Sequence, residues 1–150
     1  MGLGTITGVL TRIPTSANLS RAAKLVLTCV AGAAGDANAG LYPATVINPL
    51  AVDADGNYFD IRGLKINAVK AYPGTTAPTD ATDVTITDEY GIDLLGGKGA
   101  DLVDATTKTF IPAGPGAFAQ PALITGNISL NITNNSVAEA QTTIIVELIG

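Results

Sequence analysis

The sequence predicts an all-β protein, an antiparallel β-sandwich or β-barrel, jelly-roll-like and with little helix. Three observations carry that prediction. Apolar residues recur at alternate positions in most segments. Clusters of Gly, Pro, Asp, Asn and Thr separate those segments at short intervals. No stretch sustains a helical period, and short strands with polar turns pack as sandwiches or closed barrels. With 150 residues, the chain reads as a single β domain over 1–150.

Residues 1–14, MGLGTITGVLTRIP, include the strand-like run TITGVLTR. A terminal strand can pair in its own sheet or reach a neighbour, so the segment is either an N-terminal arm or the first strand. SANLSRAAKL, 16–25, is the only helix candidate. AKLVLTCVA, 23–31, sets Leu25, Leu27 and Cys29 on one face and Lys24, Val26, Thr28 and Val30 on the other. Cys29 then reads as a small buried hydrophobe.

VDADGNY, 52–58, is turn chemistry, and YFDIRGLKINAVK, 58–70, changes phase. Phe59 and Ile61 share one parity, while Leu64, Ile66 and Ala68 take the other. A β-bulge at Gly63 explains the switch economically. After the loop YPGTTAPTDATD comes TITDEYGIDLLGGKGAD, 85–101, the stretch with most polar chemistry. Val84 and Ile86 face one side, Asp88 to Gly91 form a reversal in which Gly91 takes positive φ, and Ile92 and Leu94 return. Gly96, Gly97 and Gly99 then carry the chain away, with Lys98 a solvated charge.

LITGNISLNIT, 123–133, alternates most cleanly, with Ile124, Ile128, Leu130 and Ile132 apolar. NNSVAEAQ supplies a turn. TTIIVELI, 142–149, is apolar on nearly both faces except at Glu147, which predicts a central strand between covered surfaces.

Composition removes most familiar chemistry. The chain has no histidine and one cysteine, which excludes Ser-His-Asp and Cys-His nucleophiles, ordinary zinc sites and any intrachain disulfide. GGKGA fails as a phosphate loop, since Ile92 stands where the leading glycine belongs and Gly99 where the hydroxyl belongs. DADGNY fails as an EF-hand, its glycine coming at the fourth position. Seven aromatics without tryptophan line no evident sugar cleft for a carboxylate pair. The expectation is therefore no enzyme, no catalytic residue and no cofactor. One candidate site remains, a cation loop of Asp88, Glu89 and Asp93, because carboxylates clustered at a turn can hold Ca²⁺.

Only 14% of residues are charged and the net charge is −5. Scattered cations on an acidic chain argue against nucleic acid, and no apolar run approaches a membrane helix. The start lacks a basic region followed by an apolar one, so synthesis in the cytosol without a secretory signal is expected. The N-x-S/T triplets at Asn18, Asn127, Asn131 and Asn134 then count as composition.

The run from Tyr72 to Pro112, with P-T-D, then D-V-T-I-T-D-x-x-G-I-D-L-L-G-G and a Gly-Ala loop, resembles a pattern of small proteins from the virion-structure modules of tailed bacteriophages. The closing ISLNITNNS and TTIIVELI are similar to how such proteins end. The resemblance covers about half the chain. It implies a β-rich structural protein of the virion, a head decoration or cement protein that binds the major capsid protein, with no catalytic residues to carry over. A homo-oligomer follows, a trimer by preference, since three-fold positions let a small external protein touch several capsomers. A tail-tube or tail-completion subunit is the alternative. A carbohydrate-binding module presenting Tyr42, Tyr58, Tyr72 or Tyr90 is the alternative of another class.

Overall fold

Alternating sequence becomes strand where neighbouring chain takes up its backbone hydrogen bonds. A computed structural model describes residues 3–13, 21–52, 55–111 and 123–150. Ten strands run through them: β1 Thr5–Ile13, β2 Ala22–Val30, β3 Thr45–Ile47, β4 Leu50–Val52, β5 Tyr58–Asp60, β6 Lys65–Pro73, β7 Asp83–Thr87, β8 Thr109–Ile111, β9 Ile128–Thr133 and β10 Gln141–Ile149. Among the described residues there is no helix. Of the described part of the helix candidate, 21–25, all but Arg21 belong to β2, whose pairing with strands on both sides overrides local preference.

The larger sheet has the order β1-β2-β10-β6-β8, and a smaller one the order β3-β9-β7; β4 and β5 form a separate hairpin. All ladders are antiparallel. One transverse row shows how the core forms: Leu10 lies opposite Leu25, Leu25 opposite Val146, Val146 opposite Val69, and Val69 opposite Ile111. All five are buried, together with Val84, Ile86, Ile128, Leu130 and Ile132 of the smaller sheet. These side chains belong to one continuous core cluster, the arrangement of two sheets packed face to face.

The sandwich is thus the observed form, and the barrel alternative is corrected: no ladder among the described residues joins the two sheets. The physical reason lies at the edges. β3 and β8 have three residues each, and the free edge of β7 is taken by its own downstream chain. Leu94 N donates to Ile86 O at 2.7 Å, Val84 N to Gly99 O at 2.8 Å, and Val103 N to Thr82 O at 3.0 Å. An edge already paired cannot close a barrel.

That covering segment is the stretch 85–101. Asp88 N donates to Ile92 O and Gly91 has φ +82°, so the reversal forms as expected. Leu94 returns to the core, but Ile92 sits out at the tip, 63% exposed. A Cβ on Gly99 would stand 1.7 Å from Val84 O, so the glycine permits close backbone approach rather than phosphate binding.

The phase change in 58–70 has two causes, neither a bulge at Gly63. Between β5 and β6 the chain turns, Gly63 taking φ +82°, and the two strands belong to different sheets. The bulge lies further on. Glu147 faces Ala68 while Leu148 faces Ile66, which leaves Asn67 extra and shifts burial from Ala68 to Val69. β10 is central, as its composition predicts, with Thr142, Ile144, Val146 and Leu148 buried. Its other face is only half covered, and there Glu147 forms an ion pair with Lys70.

Residues Thr5–Ile13 are a strand of the large sheet, paired with β2 along their whole length, not a free arm. Cys29 is buried, its Sγ 3.6 Å from Leu27 O, and burial pushes its thiol pKa up to about 12. It packs as a small apolar side chain.

Candidate functional site

Even residues of β1 and odd residues of β2 point inward, where Leu10 and Leu25 meet the core. Toward the end of the sheet the same parity places Arg12, one step beyond Leu10, and Arg21, two steps before Leu25 and just ahead of β2. Below them the β4–β5 hairpin presents Phe59, whose ring is buried. The Arg12 guanidinium carbon lies 5.0 Å from the ring centroid and that of Arg21 5.9 Å, within range for attraction to the negative face of the ring.

Arg21 also ties the hairpin to the sheet. Its Nη1 donates to Asp60 O and its Nη2 to Arg62 O, both at 2.9 Å. Arg62 grips its neighbour: Nε donates to both Asp60 carboxylate oxygens at 3.0 Å and Nη2 to Oδ2 at 2.6 Å. This grip, with the Arg62 main-chain N–H on Oδ1, holds the Asp60 carboxyl down at about pKa 2. Two of the chain's three arginines, Arg12 and Arg21, therefore stand over one aromatic ring, while the third, Arg62, is spent on Asp60. A concavity of about 420 Å³ opens there, lined by Arg12, Arg21, Tyr58, Phe59 and Asp60. Tyr58 stands at its rim, 75% exposed. The site combines delocalised cations, a carboxylate already engaged, and aromatic surface, which suits an anionic group better than a neutral one.

Beside it runs the free edge of β1, with no strand partner on that side among the described residues. An apolar groove of about 350 Å³ lies along its inner face, between Ile6, Gly8 and Leu10 of β1 and Thr45, Ile47 and Leu50 of the opposing layer.

The carboxylates of the candidate cation loop are employed differently. Asp88 Oδ1 accepts the N–H groups of Tyr90 and Ile92 at 2.9 Å. Asp93 accepts from Leu95 N at 3.0 Å and Gly97 N at 2.7 Å. Glu89 points elsewhere, accepting from Thr125 Oγ1 at 3.1 Å. These are turn-forming bonds of the kind Asp makes to its own loop. Among the described residues no three His, Cys, Asp or Glu side chains converge as a metal site. Asp104 behaves likewise: the N–H groups of Thr106 and Thr107 and the Thr106 hydroxyl hold its pKa near 2.

The four tyrosines do not share a face. Tyr42 is buried, its hydroxyl donating to Ala140 O at 3.2 Å, and burial followed by the nearby Cys29 raises its pKa well above the usual range. Tyr72 lies in β6 under Lys108, 5.1 Å from the ring centroid, and Tyr90 stands in the β7 reversal. Only Tyr58 belongs to the concavity. Asn18 lies outside the described residues.

Sequence reasoning missed the arginine cluster. The β1–β2 register, which sets Arg12 opposite Ala23, could have brought Arg12 near Arg21, but the arrival of Arg62 and Phe59 depends on the β4–β5 hairpin. Comparison with known protein families, curated proteins and solved structures finds no match to this chain.

Proposed function

We propose that the protein is a structural component of a tailed-phage virion, a head decoration or cement protein that binds the major capsid protein and works by association rather than catalysis. One structural observation supports this reading most: a two-sheet scaffold with turns closed by their own side chains leaves the nine-residue edge of β1 without a partner among the described residues, open to another chain. An unprotected strand edge is a template for pairing. The uncharged polar surface expected from 14% charged residues suits broad contact with neighbouring subunits. The resemblance of residues 72–112 supplies the virion context.

The test is co-sedimentation of the purified protein with empty phage heads, before and after expansion, with the head's melting temperature as second readout. Saturable binding that raises head stability as a folded-state ligand does, together with a trimer in native mass spectrometry, is the expected result. Association with tails and never with heads would replace decoration by the tail reading. Retention on immobilised polysaccharide without virion binding would favour the carbohydrate module.

A further inference from the structure

We propose that the open edge of β1 and the arginine-rich concavity at its end form one docking site for an extended acidic segment of another protein, which adds antiparallel to β1 and sets its carboxylates against Arg12 and Arg21. The inference stands apart from the virion reading, since it needs only β1 and the arginines.

The edges of the two sheets differ in a telling way. β3 and β8 are three residues long, and β7 is covered by the chain from 93 to 103. Among the described residues β1 has none of the usual protections. It runs nine residues in unbroken register from Thr5 opposite Val30 to Ile13 opposite Ala22, has no proline, and carries no charge before Arg12. Its outward row, Thr5, Thr7, Val9, Thr11 and Ile13, is β-branched throughout, and Val9 is 52% exposed. A strand added here would satisfy the outward N–H and C=O groups and drop alternate side chains into the groove over Gly8.

Charge chooses the occupant. The protein carries −5 overall, yet Arg12 and Arg21 meet at one end of this edge, and the carboxylate beside them, Asp60, is held by Arg62. A second copy of β1 added antiparallel would set its Thr5 end, and no carboxylate, against Arg12, so self-pairing leaves the arginines unmatched. An acidic partner gains attraction that the rest of the surface would repel. Arg and Tyr are also the residues that anchor interfaces, and guanidiniums over the Phe59 ring are held in place before a partner arrives. A polyanion such as nucleic acid would use the arginines but not the strand edge, and it meets net repulsion.

The probe is a short peptide of alternating threonine and valine with a pair of glutamates at its N-terminal end, the end that antiparallel addition brings to Arg12. Against the full chain it should bind, weaken as salt rises, and slow hydrogen exchange at the β1 amides. Arg12→Glu should weaken binding roughly tenfold or more, and the same peptide with lysines in place of glutamates should not bind. Should Arg12→Glu lose its β-sheet circular dichroism, Arg12→Gln carries the test with a smaller loss in the same direction. No binding, binding indifferent to the peptide's charge, unprotected β1 amides in the complex, or equal binding of a single-stranded oligonucleotide would each overturn the proposal.

Discussion

The guanidinium of Arg21 donates to the main-chain oxygen of Asp60 at 2.9 Å, across 39 residues of sequence. This bond, with its companion to Arg62 O, fixes the β4–β5 hairpin against the end of the large sheet. Arg21→Ala should cost on the order of 1 kcal/mol in denaturant unfolding, as charge-assisted bonds to carbonyls are lost at an exposed site. Arg21→Lys should recover only part of it, since one ammonium cannot reproduce the forked donation. Equal stability of all three proteins would show that the bonds hold nothing.

Acid should loosen the loops. The Asp60 and Asp104 carboxyls titrate near 2 in the folded chain, below the ordinary 3.8. Their contribution is complete above about pH 4 and is lost as pH falls from about 4 through 2. The melting temperature measured across that window should drop. It should drop less steeply in Asp60→Asn and Asp104→Asn, which have no such carboxyl left to protonate.

The order β2-β10-β6 places the last strand in the middle of the large sheet, so the sheet stays divided until the C-terminal segment arrives. Ile144→Ala, at a fully buried position of β10, should destabilise by about 2–5 kcal/mol in urea unfolding. Removing residues 141–150 should leave no cooperative transition. A truncated chain that still melts cooperatively would mean that β2 and β6 can do without it.

Asn135 is buried and fully engaged. Its Nδ2 donates to Gly40 O at 2.7 Å and Val137 O at 3.0 Å, and its Oδ1 accepts from Thr79 N at 2.9 Å. Asn135→Ala should cost about 1–3 kcal/mol, because main-chain groups from three loops lose their partner at once. Asn135→Asp, which keeps the shape but removes two donors, should be no better. Thermal melts of both variants check this.

Asp93 serves its own turn, so Asp93→Ala should lower stability by about 1 kcal/mol through loss of the bonds to Leu95 N and Gly97 N. Neither the parent protein nor the variant should shift its melting temperature when Ca²⁺ or EDTA is added. A rise with Ca²⁺ in the parent alone would restore the cation loop, since a ligand of the folded state stabilises it.

Local pattern alone is enough to give the class of the protein. Strict alternation in LITGNISLNIT and β-branched density in TTIIVELI specify which face is buried, because a strand's side chains alternate and one face must leave water. Ile128, Leu130 and Ile132 are buried as that rule requires, and so is Cys29. The reversal at Asp88–Gly91 was equally legible, since glycine takes positive φ at little cost.

The remaining features depend on contacts between segments far apart in the chain. Local pattern cannot say that β10 inserts between β2 and β6, that the chain after β7 covers its edge, or that the extra residue is Asn67 rather than Gly63. Nor can it bring Arg12 and Arg21 to one phenylalanine ring. That meeting needs the β1–β2 register, the β4–β5 hairpin and the turn after Asp60 all in place, and a charge cluster built from three distant segments leaves no run in the sequence to mark it.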